Sequence, residues 1–414
     1  MKILFLSDGF PPASGGGAEI AAFNLARELK ELGHQVYVIT TVRNKSEAAE
    51  LDYQGLDVFK IYANYHERWR AYLSLYNPQT INQVEKIIKQ IKPDIVHIHN
   101  VHYYLSYYCL KIAKKYSRAV FLTAHDTMLF HYGKLFEFVN FNDLSIPDKF
   151  NYKITPWQQI KRFKKRYNPF RNIIIRHYLK YVDTVFSVSD VLKEALAQNG
   201  IRDTVVIHNG VNIDNWQCVD SKIEDFKKKH SLVDKKIVSF VGRLSTLKGG
   251  EKAIKAMGKV VRRVPGAILL VIGKKDSYAK EMGSLANKAN VPIVFTDWLD
   301  GDELIAAYYT SNVFLTPSIY LDPFNLINIE AMAAGKPVIG TCFGGTSEIV
   351  INDETGYIVN PFNIDEMTDK IVDLLNNFQK LEQFGQNGLK RIRDNFSLEK
   401  QITKTLRWYR KYIR

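Results

Sequence analysis

Short apolar strands alternate with amphipathic helices from one end of this chain to the other, and that alternation restricts the fold more than any other feature. In the first half, strands are predicted over 3–7, 35–40, 95–99, 120–124, 184–188 and 205–208, with helices over 18–32, 79–91, 103–116 and 190–199. A polar, lysine-rich stretch then loosens the pattern, placing a joint near 212–235. It restarts with strands over 237–241, 268–272, 293–295, 313–315 and 338–341 and helices over 252–263 and 279–289. Strands buried on both faces and joined by helical crossovers make parallel sheets covered on both sides. At 414 residues the chain exceeds one ordinary core. The expectation is therefore two doubly wound α/β domains, 1–215 and 216–395, facing across a cleft, with ligands at the carboxyl ends of the strands.

Composition excludes several classes. Hydrophobic content of 46% and charged content of 24% are those of a globular protein. No apolar run approaches the roughly 20 residues of a membrane span. The apolar start at Met1 is soon followed by Asp8 and Pro11-Pro12, so it reads as a first strand rather than a signal peptide. Cys109, Cys218 and Cys342 are scattered and odd in number, which fits a reducing cytoplasm and no disulfide framework. His97, His99 and His102 have no acidic or thiol partner at ligand spacing, so they read as core or cleft histidines rather than a metal site.

The formal charge is +14, and residues 149–180 carry ten Lys or Arg with no acid. Trp157, Phe163, Tyr167, Phe170 and the run from Ile173 interleave with those cations. Such a stretch reads as an anionic membrane surface or an acidic acceptor ahead of a solvated helical face, and nucleic acid comes well behind.

The segment from Pro317 to Val338 carries the chemistry. A strand breaks at Pro317, a loop leads into a helix, Gly335 ends it and Pro337 opens the next strand. Asp322 and Glu330 stand eight positions apart, and a carboxylate can accept the paired hydroxyls of a sugar or ribose. The N–H groups of Asn325, Leu326 and Ile327 at the helix start suit phosphate or sugar oxygens. Upstream, Gly242-Arg243-Leu244 leads through Lys248 to Gly249-Gly250, two cations in a glycine-flanked loop suited to a diphosphate.

Asp322-Pro-Phe-Asn-Leu with Glu330-Ala-Met-Ala-x-Gly-x-Pro-Val resembles the E-x7-E signature of glycosyltransferase family 4, and the Arg243/Lys248 loop resembles its G-R-L-x3-K-G motif. This sequence departs from the family at Asp322, one methylene shorter than Glu, and at Asn325, which stands where Gly is usual. The resemblance spans most of the chain apart from 134–180. It implies a GT-B fold whose last helix, about 396–414, returns to the first domain, with Trp408 and Tyr409 as anchors. It also implies a retaining transferase that moves a hexose-type sugar from a UDP- or GDP-linked donor to a glycan or lipid-linked acceptor, as in cell-envelope polysaccharide synthesis.

The implied roles follow. Arg243 and Lys248 hold the diphosphate, Glu330 the ribose, and Asp322 and His125, in Thr123-Ala-His125-Asp126, the sugar. Gly16 and Gly17, in the glycine-rich turn after the first strand, face the donor phosphates. Attack is expected on the front face, with no protein nucleophile, metal or cofactor. Ser187–Asp190 and Ile207–Val211 are fold landmarks. The expected location is the cytoplasm, peripheral on the inner face of a membrane. Two alternatives stand beside this: a nucleotide-sugar 2-epimerase of the same fold, and a nonenzymatic basic surface-binding protein with a degenerate site.

Overall fold

The computed structural model describes residues 1–413, which form two α/β units. The first contains Met1–Glu137, Asn151–Asn209 and the C-terminal residues from Leu398. The second contains Phe138–Phe150 and Gly210–Ser397. The division thus falls at Asn209/Gly210 rather than at 215, and a 13-residue excursion leaves the first half to join the second unit. Its rings explain the change of allegiance. Phe138 and Phe150 lie 6.0 and 5.8 Å from Phe343, Phe141 lies 5.3 Å from Phe362, and Asn360 donates to the carbonyls of Asp143 and Ser145.

The first sheet contains β1 (Lys2–Leu6), β2 (Gln35–Val42), β3 (Glu50–Tyr53), β4 (Leu56–Tyr62), β5 (Ile95–Ile98), β6 (Ala119–Ala124), β7 (Thr184–Ser187) and β8 (Thr204–Val206). Their order is β3-β4-β2-β1-β5-β6-β7-β8, parallel throughout except for the antiparallel β3–β4 pair. The second sheet contains β9 (Lys236–Val241), β10 (Ala267–Ile272), β11 (Ile293–Phe295), β12 (Val313–Thr316), β13 (Val338–Thr341) and β14 (Gly356–Val359). It is wholly parallel, in the order β11-β10-β9-β12-β13-β14. In each sheet the winding reverses beside the first strand, at β1/β5 and at β9/β12, which are the positions where such sheets open a ligand crevice.

Each unit has its own core. Val238, Phe240, Ile254, Met257 and Leu315 are among the buried side chains of the second. Helix Leu398–Ile413 belongs to the core of the first, where Leu398, Ile402, Leu406 and Tyr409 pack with β-strand residues such as Phe121 and Phe186. Trp408 is only partly buried there, so Tyr409 is the deeper anchor. The Tyr409 hydroxyl lies 2.5 Å from His97 Nδ1, and His97 Nε2 lies 2.7 Å from Thr123 Oγ1.

The helix predicted over 103–116 begins instead at Cys109. Ser106 takes φ +75°, which interrupts a right-handed helix there, while buried Asp8 accepts the backbone N–H groups of Tyr103, Tyr104 and Leu105 at 2.7, 2.8 and 2.7 Å. Strands β3, β4 and β14 are additions to the sequence reading, as is helix Asp220–Lys229 in the supposed joint.

Candidate active site

In the second unit, the loops after β9 and β12 meet at the switch point. Gly249 has φ +83°, and a Cβ on it would lie 2.0 Å from the Pro317 carbonyl oxygen, so only glycine permits this approach. The Ile319 N–H donates to the Leu247 carbonyl at 3.0 Å. Lys248 is thereby carried to Asp322, Nζ to Oδ2 2.7 Å. Burial works against the Lys248 charge, but the Asp322 carboxylate, followed by Tyr320, overrides it and holds the ammonium above its ordinary range. Asp322 itself is buried and fixed from behind. Gly344, at φ +96°, pairs with it as an isolated bridge, and a Cβ there would lie 2.2 Å from the Asp322 carbonyl oxygen. The Gly345 N–H donates to that same oxygen at 2.9 Å. The Gly344-Gly345 turn is thus part of the site, and the glycine pair after β13 was its available sequence signal.

Glu330 sits half-buried on helix Leu326–Ala333 and accepts a 2.7 Å hydrogen bond from Tyr308. Burial pushes its carboxyl above the usual carboxylate range, with the Tyr308 hydroxyl opposing. Tyr308, buried and stacked 4.7 Å from Phe314, is a supporting residue no motif announced, because it lies 22 positions upstream on another helix. Buried Asn328 links that helix to β12 and to the short helix Thr346–Ile349 through Thr316 (3.0 Å) and Thr346 (3.3 Å).

Three groups expected to bind the donor are engaged within the protein in this structure. The Ile327 N–H is already taken by the Asn325 side chain at 3.3 Å, because Asn here acts as the helix N-cap that a Gly could not supply. Arg243 does not join Lys248. Its side chain is 65% exposed, its Nε lies 3.2 Å from Asp276 Oδ2, and its guanidinium lies 5.6 Å from the Tyr278 ring, which draws it toward the strand β10 side. In the first unit, the Gly16 N–H is bonded to the Glu19 carboxylate at 2.5 Å, and Ser14 donates to the same oxygen at 2.6 Å. A phosphate at Gly16 would have to displace Glu19, while Gly17 simply opens helix Gly17–Glu31.

His125 stands just after β6, half-buried, with Nε2 2.8 Å from His99 Nδ1 and the two rings stacked at 5.0 Å. His99 stacks in turn on Phe5 at 5.4 Å. Burial lowers His125 and His102 to about 4 and His97 to about 3, and drives His99 well below its ordinary value, so all four are neutral at pH 7. In the unfolded chain they titrate near 6.5. Their folded values are depressed, so the stability they contribute is full above about pH 6.5 and is lost as pH falls toward 4. Unfolding at pH 5 should take up about one proton per histidine. Buried Asp8, pushed up to about 7, opposes this by about one proton, so equilibrium denaturation from pH 7 to 5 should still show stability falling, and a flat profile would contradict the histidines' burial as neutral groups.

The basic stretch divides into used and unused cations. Arg162 pairs with Glu137, and Arg171 is buried. Lys161, Lys164, Lys165 and Arg166 are exposed, on and after helix Pro156–Phe163. Trp157, Phe170 and Ile173 are 71%, 66% and 64% exposed. No described helix is long and apolar enough to cross a membrane.

Against known proteins, residues 15–215 match the family described as Glycosyltransferase Family 4, and residues 221–391 match the family described as Glycosyl transferases group 1. An uncharacterized glycosyltransferase of Methanocaldococcus jannaschii is 26% identical over 421 residues, covering 99% of this chain and 98% of that protein. The sucrose-phosphate synthase of Thermosynechococcus elongatus superposes with a TM-score of 0.77 at 22% identity over 99% of this chain and 98% of that one. The Anabaena protein HepE, solved with UDP and glucose, gives 0.75 at 17% identity over 99% of this chain and 100% of that one. The two α/β units are those of the GT-B fold. This chain is a glycosyltransferase and belongs to glycosyltransferase family 4.

Proposed function

We propose that the chain is a retaining hexosyltransferase that takes a UDP- or GDP-linked sugar as donor and a hydroxyl of a glycan or lipid-linked molecule as acceptor. The observation that carries this reading is the Lys248–Asp322 pair, a cation held charged at the mouth of a parallel-sheet switch point. As the bond from sugar to diphosphate breaks, negative charge grows on the departing phosphate, and a fixed ammonium there stabilises it. Lys248 would then exchange its Asp322 partner for the diphosphate, freeing the carboxylate to accept sugar hydroxyls. Glu330, positioned by Tyr308, would take the ribose hydroxyls, and neutral His125 would donate or accept a single hydrogen bond to the sugar. Attack by the acceptor hydroxyl from the leaving-group face, with its proton passing to the departing phosphate, needs no protein nucleophile, metal or cofactor.

The UDP and glucose bound by HepE support the donor class. Arg243 reaches a diphosphate only by leaving Asp276, so its contribution is expected to be smaller than that of Lys248. A screen of UDP-, GDP- and ADP-sugars for thermal stabilisation tests the donor assignment, because a ligand of the native state raises Tm. No shift with any of them at millimolar concentration would refute it.

The exposed Trp157, Phe170 and Ile173 beside Lys161, Lys164, Lys165 and Arg166 favour docking on the anionic inner face of a membrane, which suits a lipid-linked acceptor in cell-envelope polysaccharide synthesis. Each cation near such a surface is worth about 1 kcal/mol. Replacing those four cations with Gln should therefore release the protein from vesicles containing acidic lipid, as should added salt. Vesicle sedimentation unchanged by both would leave the segment as a solvated face.

A further inference from the structure

We infer that the first unit holds a receptor for a phosphate monoester, built on Arg70 with Arg171 behind it, by which the acceptor is recognised. The inference rests on the transferase reading only in calling that molecule the acceptor.

Arg171 is 1% exposed. Its guanidinium donates to the Met128 carbonyl at 2.5 Å and to Asn172 Oδ1 at 3.1 Å, while its buried Nε has no hydrogen-bond partner. The buried Tyr167 hydroxyl is likewise unpartnered. Arg70 is half-buried, its guanidinium 4.7 Å from the Tyr103 ring and 4.3 Å from the Tyr132 ring, with Nη2 donating to the Tyr132 carbonyl at 2.8 Å. Arg171 also lies 5.6 Å from Tyr132, so one ring adjoins both cations.

Among the described residues, no carboxylate lies within 4.0 Å of either guanidinium. Three acids face this region, and exposed Glu67, three positions before Arg70, stays beyond ion-pair distance of it. Asp8 is tied to three backbone N–H groups, and Asp126 accepts from the Met128 N–H and approaches His102 at 3.5 Å. Removing a guanidinium from water without a counter-charge is unfavourable, and two such groups in one region make an anion the natural partner.

The aromatic clamp fixes the Arg70 plane in advance, as bidentate recognition of an oxyanion requires. A phosphate monoester carries between one and two negative charges at neutral pH and so matches two cations better than a single carboxylate does. Tying down the Met128 carbonyl explains Arg171, but it does not explain an Arg70 held between two rings with one hydrogen bond. The place also suits an acceptor. The Tyr103 ring lies 4.9 Å from His102, and His102 contacts Asp126, the neighbour of His125.

The test is calorimetric titration of inorganic phosphate into the full chain saturated with UDP, so that the donor site is filled. The wild-type chain should bind phosphate, and Arg70→Gln should weaken that binding at least about tenfold while leaving UDP affinity unchanged. Equal phosphate affinity in the two proteins overturns the inference. Should UDP fail to bind, the donor reading falls by itself. Phosphate is then titrated without UDP into Arg70→Gln and Lys248→Ala: loss confined to Arg70→Gln upholds the receptor, and loss confined to Lys248→Ala overturns it. Competition by phosphatidate vesicles identifies a lipid headgroup as the source of the phosphate, and competition by glucose 6-phosphate alone identifies a soluble one.

Discussion

Lys248→Ala is expected to lower kcat about 10²–10³-fold, the loss typical when one group that stabilises developing negative charge is removed. The geometry supports so large an effect. Lys248 is carried on a loop that Gly249 presses against Pro317, and Asp322 holds its ammonium charged, so it is aligned before donor arrives. KM for the donor should change less than kcat, because the charge on the leaving phosphate is greatest in the transition state. Stability should fall as well, by roughly 1–3 kcal/mol, because buried Asp322 loses its cation. Lys248 remains 24% exposed, so the low end of that range is expected. Steady-state kinetics beside a denaturation curve separates the two effects. A variant with normal kcat would remove Lys248 from the chemistry.

Glu330→Ala should weaken nucleotide binding about 10–100-fold, since hydrogen bonds to a charged acceptor are worth about 1.5–3 kcal/mol each. Its carboxyl is pushed up by burial, which leaves the group short of solvent and ready to gain from hydroxyl donors. Glu330→Gln should be the milder change, because its amide oxygen can keep the Tyr308 bond. Titration of UDP and of GDP into each variant reads the effect. Unaltered affinity in Glu330→Ala would show that this carboxylate does not hold the ribose.

Much of this architecture was legible in the strand–helix alternation, because buried parallel strands must be continuously apolar. Helix Asp220–Lys229 was not, since only Phe226 of its ten residues is buried and no apolar stripe marks it. The excursion Phe138–Phe150 escaped for another reason: its phenylalanines find partners at Phe343 and Phe362, some 200 residues away, and no local pattern encodes that. The motifs singled out Lys248 and Asp322, which stand on loops of the second unit, Glu330 on one of its helices, and His125 at a strand end of the first. They could not tell that Arg243 would turn to Asp276 or that Glu19 would take the Gly16 amide, because both outcomes depend on side-chain rotamers. Tyr308 and Gly344 in the second unit, and His99 in the first, hold their neighbours Glu330, Asp322 and His125 through contacts that cross between elements.

Retaining transfer is tested most directly by following the reaction with proton NMR, using an α-linked UDP- or GDP-hexose that stabilises the protein and an acceptor preparation from cell-envelope lipids and glycans. A retaining transferase gives an anomeric signal of a new α-glycoside, with the free nucleoside diphosphate appearing in equal amount and both signals absent with Lys248→Ala. A β-glycoside, or a 2-epimer of the donor formed without any new glycosidic bond, would contradict retaining transfer.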